Sequence, residues 1–371
     1  MAAKKKKDKI EVDKELKILL EADEMESVAE FVSTGSTLLD YAISNRPKGG
    51  IPVGRITELI GENQAGKTLV GTHILANTQK MGGIAIAIDT EHDMDKDFSY
   101  RIGLNWDGVI YKEYLQCLED VFEYLDKIIR VTRLKHKSKL ITILWDSIAA
   151  TPARTELEGG YDPTKIVGLH ARIMSSNLRR IRSSIKSERI ALVCTNQLRT
   201  KIGVSFGDPN ITAHGRAMHF YASVRIKLLR TGQLKNNAQS RIHGAECKAT
   251  VIKNKVGPCW RSVEYPIYYD YGINDGESFL KYLKSKDVVV TKGAWSYIKV
   301  PTGGGKVREV KFQGAPKWNE LLRSDLEFQK YVFREINAGM IVNPERRPDD
   351  WDIDIDSILD MDQVRANQEG A

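Results

Sequence analysis

Long hydrophobic runs are missing from this chain: nothing in its 371 residues approaches the roughly 20 apolar residues that span a bilayer. The lysine run of Met1 to Asp8 has no apolar stretch behind it to act as a secretory signal. A cytoplasmic location without a membrane partner is therefore expected. Cysteine is scarce as well, and Cys117, Cys194, Cys247 and Cys259 are scattered without CxxC spacing. That pattern argues against a zinc site and a disulfide framework, and leaves them as reduced packing residues. No internal repeat is visible. A net charge of +7 is compatible with nucleic-acid binding but too modest to establish it.

What is present is ordinary globular composition, 42% hydrophobic and 28% charged, in a chain long enough for one large core with small appendages. The charge is uneven. Asp349, Asp350, Asp352, Asp354, Asp356, Asp360 and Asp362 crowd the last residues, so the body is more basic than the total suggests. A solvated tail over 341–371 is the simplest reading, and such a tail can also occupy a basic groove until nucleic acid or cations displace it.

Residues from about Glu11 to Glu30 suggest an amphipathic helix in an N-terminal arm, 1–30, and Ser33-Thr34-Gly35-Ser36 marks entry into a core over 31–269. There, strand-like Arg55 to Ile60, Ile84 to Asp89, Leu140 to Asp146 and Arg189 to Thr195 alternate with helix-like Thr68 to Lys80, Leu115 to Arg130 and Gly168 to Lys186. This alternation predicts an α/β fold with a mostly parallel central sheet. Tyr221 to Arg230, Glu246 to Lys253 and Val263 to Tyr269 predict an antiparallel extension. A small α+β unit over 270–340 follows, with a helix at Glu277 to Ser285 and another at Lys317 to Ala338.

Gly61-Glu62-Asn63-Gln64-Ala65-Gly66-Lys67-Thr68 fits GxxxxGK[ST] between a strand and a helix. Glycines let successive N–H groups face phosphate oxygens, Lys67 reaches the β- and γ-phosphates, and the Thr68 hydroxyl ligates Mg²⁺. A nucleoside triphosphate site follows. Asp146 closes an apolar strand, the usual place of the carboxylate that holds the Mg²⁺ shell. Glu91 follows the strand Ile84 to Asp89, where it either polarises a water for attack on the γ-phosphate or caps a helix.

Several separate blocks resemble the bacterial RecA recombinase family: Val32 to Ser36 with the P-loop, Ile88-Asp89-Thr90-Glu91-His92, Thr195 to Val204 with Phe206-Gly207-Asp208-Pro209, Phe220 to Arg225, Val251-Ile252-Lys253-Asn254-Lys255, and Gly293 to Tyr297. The resemblance spans roughly residues 31–340 and implies a RecA-type P-loop NTPase core. It makes Glu91 the water-activating base, Gln197 the γ-phosphate sensor, and Asp95 and Phe98 the adenine contacts, with Phe98 where a tyrosine is usual. It also implies two DNA-binding loops, about 157–167 and 197–215. Val167 and Ile202 are then wedges between bases, Arg172, Ser175, Arg179 and Arg199 phosphate-facing residues, and Gly215 the end of the second loop. Lys253 and Lys255 resemble a pair that reaches a neighbour's ATP, although by themselves they read as an exposed turn. His219 and Phe220 fall at the subunit contact, His219 replacing a usual lysine.

What the resemblance implies is an enzyme that uses ATP and Mg²⁺, polymerises head to tail on single-stranded DNA, pairs it with duplex DNA and works in recombination, repair and the SOS response. Its location would be the nucleoid, and its partners would extend to recombination mediators, a single-strand-binding protein and a self-cleaving repressor. A ring-shaped helicase and a non-hydrolysing filament scaffold are the alternatives. Trp260, Trp295, Tyr297 and Trp318 are either base-stacking or core residues. Lys281, Lys284, Lys286 and Lys292 either capture duplex or form a solvated face.

Overall fold

A short antiparallel pair, β1 (Phe31–Val32) and β2 (Ile51–Pro52), leads into the body of the molecule. The computed structural model describes residues 27–159, 168–200, 210–212, 217–236, 241–302 and 305–342, with backbone alone at 199–200, 210–212 and 236. Most of the expected arm, the tail from 343 onward, and Val167, Ile202 and Gly215 lie outside the described residues.

Four expected runs become the strands β3 (Arg55–Gly61), β4 (Ile84–Asp89), β6 (Ile141–Asp146) and β7 (Ile190–Thr200), the last running on past its expected end at Thr195, and β5 (Val109–Lys112) is a further strand that was not expected. β8 (Asn210–Thr212) folds back on the end of β7 as an antiparallel partner. Then come β9 (Val224–Asn236), β10 (Arg241–Asn254), β11 (Ser262–Tyr268) and β12 (Gly272–Ile273). Their order across the sheet is β12-β11-β10-β9-β3-β7-β6-β4-β5. From β9 to β5 the strands run parallel, and from β9 to β12 they pair antiparallel, so the expected extension is present.

Side-chain alternation divides the sheet into two buried faces. Ile86, Ile88, Ile143, Trp145, Leu192 and Cys194 pack on one face against the helices Leu118–Lys135 and Leu169–Ser187. Ala85, Ala87, Leu144, Ala191 and Val193 pack on the other with the helix Lys67–Lys80. On that second side, the helix Thr37–Ser44 is tied into the core by Asp40, which accepts from Thr34 N (2.8 Å) and from the Ser33 and Thr34 hydroxyls. Asp275, which opens the helix Asp275–Ser285, accepts from Thr37 N (2.9 Å) and from its hydroxyl.

The C-terminal part adds an antiparallel sheet of β13 (Val289–Lys292), β14 (Trp295–Pro301) and β15 (Val307–Phe312). Two expectations need correction here and before it. The single helix over 317–338 is two, Gly314–Ser324 and Leu326–Met340, because Asp325 caps the second by accepting from Phe328 N (3.0 Å) while paired with Arg308. Tyr221 belongs to a short helix, Ala217–Tyr221, rather than to the strand that follows it. Trp318 is fully buried and its Nε1 donates to the Gly276 carbonyl, whereas Trp260 is 75% exposed. Lys281 is held between Glu246 and Glu264. Among the described residues no helix is long and apolar enough to cross a membrane.

Candidate active site

Strands of a parallel sheet present their carboxyl ends together, and that edge is where a ligand finds loops and helix N-termini. β3 delivers Gly61 there, and a Cβ at this position would stand 2.6 Å from the Leu228 carbonyl oxygen of β9, so only glycine lets the loop leave against its neighbour. Gly66 turns through φ 87°, and the helix begins at Lys67 with its free N–H groups facing the loop. Lys67 is buried, and its Nζ donates to the loop's own carbonyls, Gly61 O (3.3 Å) and Glu62 O (2.8 Å). Burial lowers its pKa, opposed by the charges of Glu91 and Asp146.

Asp146 at the end of β6 is pushed up to about 6, chiefly by burial, with the Thr195 and Thr68 hydroxyls acting the other way. One of its oxygens accepts from the Thr195 hydroxyl, and the other, Oδ2, is buried and, among the described residues, meets no donor in hydrogen-bonding geometry, although the Thr68 hydroxyl is near enough to act on its pKa. A buried carboxylate oxygen left without a donor, beside a threonine hydroxyl and a helix N-terminus, fits a hard divalent cation and its phosphate ligand. Thr68 and Asp146 are the residues that would hold Mg²⁺, and Glu62, Asn63, Gln64 and Ala65 form the cradle beside Lys67.

Glu91 follows β4, where the Thr90 and Glu91 N–H groups both donate to the Asp146 carbonyl. Its Oε1 accepts from the Ser147 hydroxyl and from Gln197 Nε2 (3.0 Å). The sequence places Glu91 and Gln197 106 residues apart, and the order β7-β6-β4 brings them together. Asp95 instead caps the helix Lys96–Ile102, accepting from Phe98 N (2.7 Å), and the Phe98 ring lies 5.7 Å beneath Arg101.

Away from this edge, Arg172, Ser175 and Arg179 share one side of one helix, the two arginines exposed and Ser175 half-buried, and Arg179 Nε donates to the Tyr221 hydroxyl. Lys253 Nζ donates to the His219 and Phe220 carbonyls, with Phe220 itself 69% exposed and Lys255 exposed nearby. Sequence reasoning missed three residues between the two sets. Glu58 is fully buried in β3, and accepts from Asn196 Nδ2 (2.8 Å) and Arg225 Nε (2.6 Å). A glutamate inside the run Arg55 to Ile60 was the available signal, since a buried acid demands a partner.

Residues 4–274 match the family model described as the RecA N-terminal domain. The Protein RecA of Chlamydia pneumoniae is 35% identical over 306 residues, 82% of this chain and 80% of its own length. That of Chlamydia caviae is 35% identical over 322 residues, 86% of this chain and 87% of its own. The Protein RecA of Crocosphaera subtropica is 36% identical over 284 residues, covering 76% and 78%.

Proposed function

This chain belongs to the RecA family, and from that premise we propose that it is a DNA-dependent ATPase of recombination and repair that assembles on single-stranded DNA and exchanges its strand with homologous duplex. The observation that carries the reading is the bond between Gln197 and Glu91 at the carboxyl edge of the sheet. Gln197 lies on the strand that runs on toward 201–209, so a side chain at the hydrolysis site and a segment assigned to DNA are one piece of backbone.

Mg²⁺ bound with ATP would supply positive charge to the β- and γ-phosphate oxygens, where negative charge develops, and Lys67 would share that role. Lys67 must leave the Gly61 and Glu62 carbonyls to reach phosphate, and the loop N–H groups orient the chain of phosphates. Thr68 and Asp146 would hold the cation. Glu91 takes the proton of the attacking water, with Ser147 and Gln197 fixing its carboxylate. Asp95 and Phe98 receive the base, the ring by stacking. Gln197 senses the γ-phosphate and transmits its presence into the loop of about 197–215.

Residues 31–269 act as the ATPase core, 270–340 as the unit that captures duplex, 1–30 as an arm and 341–371 as an acidic tail. Arg172, Ser175, Arg179 and Arg199 contact phosphates, Val167 and Ile202 enter the base stack, and Gly215 closes the second loop. Contacts of this kind bind DNA without reading sequence. His219, Phe220, Lys253 and Lys255 meet the neighbouring subunit of a head-to-tail helical filament, and the two lysines complete its ATP site. A nucleoid location, mediators, a single-strand-binding protein and a self-cleaving repressor complete the reading.

The test is strand exchange between homologous single-stranded and duplex DNA with ATP and Mg²⁺, with electron microscopy of the same mixture. Joint molecules on helical filaments are expected; closed rings that unwind duplex would overturn the reading.

A further inference from the structure

Four neighbouring strands of the sheet carry a continuous polar row where an apolar one would pack more simply. In β3, Glu58 stands opposite Arg225 of β9, and Arg225 stands opposite Lys253 of β10. On the other flank Glu58 is opposite Cys194 of β7, whose second neighbour along the strand is Asn196. Directly opposed residues share a face of the sheet, so Asn196, Glu58, Arg225 and Lys253 follow one another across it.

The row is hydrogen-bonded from end to end. Asn196 Oδ1 accepts from the Gln197 N–H (2.9 Å), and its Nδ2 donates to Glu58. Arg225 donates from Nε to Glu58 and from Nη1 to His219 Nδ1 (2.9 Å), because a guanidinium has no acceptor. Lys253 then rests on the His219 and Phe220 carbonyls. One end of the row thus touches the residue bonded to Glu91, and the other holds the lysine assigned to the neighbouring subunit's nucleotide.

Burying an ion pair offers little stability over an apolar pair of similar volume, but it fixes geometry, since each member has few allowed partners. Glu58 is completely buried and Arg225 nearly so. We propose that Glu58 and Arg225 are positioning residues that hold Gln197 and Lys253 in one register, so that the reach of Lys253 toward an adjacent subunit depends on the state of Gln197 in its own. The inference rests on the proposed function and deepens it. A γ-phosphate that draws Gln197 away from Glu91 shifts Asn196, and the disturbance passes through Glu58 and Arg225 to the short helix on which Lys253 rests. Neither positioning residue touches nucleotide.

Arg225→Lys separates this role from simple packing. Lysine keeps a cation for Glu58 but lacks the planar fork that also reaches His219. With the full chain, binding of a fluorescent ATP analogue and the thermal midpoint are expected to stay near wild type. DNA-stimulated turnover is expected to fall about tenfold and the Hill coefficient for ATP to drop toward one. Wild-type turnover per folded molecule with an unchanged Hill coefficient would overturn the proposal. If the variant fails to fold, His219→Ala at the exposed end of the row must lose ATP cooperativity in its place, and retained cooperativity there overturns it equally. A wild-type chain without DNA-stimulated turnover would sink the proposed function itself and this inference with it, a result recognisable because the unaltered protein is then silent.

Discussion

Two sets of carboxylates lie on different sides of the core and are accommodated on different terms. At the carboxyl edge, Asp146 and Glu91 act on the Lys67 ammonium, and Glu58 is bonded to Arg225. Around the helix Thr37–Ser44, the hydrogen bonds to Asp40 and Asp275 among the described residues all come from neutral donors. Burial pushes Asp40 up to about 7 and Asp275 up to about 6, and each donor pulls only partly the other way. His73, between Gly35 and Gly272, is pushed down to about 4 by burial and by Lys80, so it stays a neutral acceptor for the Ile273 N–H. The contrast separates acids that stand near a cation from acids that serve as hydrogen-bonded ties; burial does not separate them, since it pushes Asp146 up to about 6 as well. An amide can replace the second kind and not the first.

Replacing carboxylate by amide in each set therefore sharpens or breaks the comparison. Glu91→Gln is expected to lower DNA-stimulated phosphate release by about a thousandfold with nucleotide binding retained, the scale of losing a general base. Undiminished release would place Glu91 among the ties. Glu58→Gln leaves the Arg225 charge buried without a counterion, and the expected cost is about 3 kcal/mol in urea unfolding. A midpoint equal to that of the wild type would mean that Arg225 finds another anion.

Asp275→Asn should do the least, and its effect carries a pH signature. The folded pKa of about 6 lies above the ordinary 3.8. The protonated acid therefore contributes stability in full below about pH 3.8, and that contribution is lost as pH rises through about 6. Asparagine does not titrate. The variant is expected to gain on the wild type between pH 4 and pH 8, by about 1–3 kcal/mol at the upper end, as read from paired thermal midpoints. A pH-independent difference would show that Asp275 is ionised and belongs with the first set.

Much of the carboxyl edge was legible because it is local. Gly61 to Thr68 occupies one loop, and Asp146 and Glu91 each follow an apolar strand whose direction is set by the alternating pattern. The resemblance to the family supplied Gln197, and the sheet order then brought it to Glu91. Glu58, Asn196 and Arg225 stayed hidden because their partnership depends on which strands become neighbours, information that no single run of residues contains. The break at Asp325 was missed for a different reason. Apolar spacing continues on both sides, and only the cap geometry reveals that one helix ends and another begins.

The central position of β3 has a consequence for how the chain is made. Its register partners are Ala191 to Gln197 on one side and Val224 to Leu228 on the other. The segment that ends in the P-loop is synthesised before both of its flanks, which arrive more than a hundred residues later. Loop closures of that length slow folding and leave apolar strands waiting without partners. During synthesis β3 is consequently an open edge until β9 emerges, and a chain halted before Val224 would keep that edge for good.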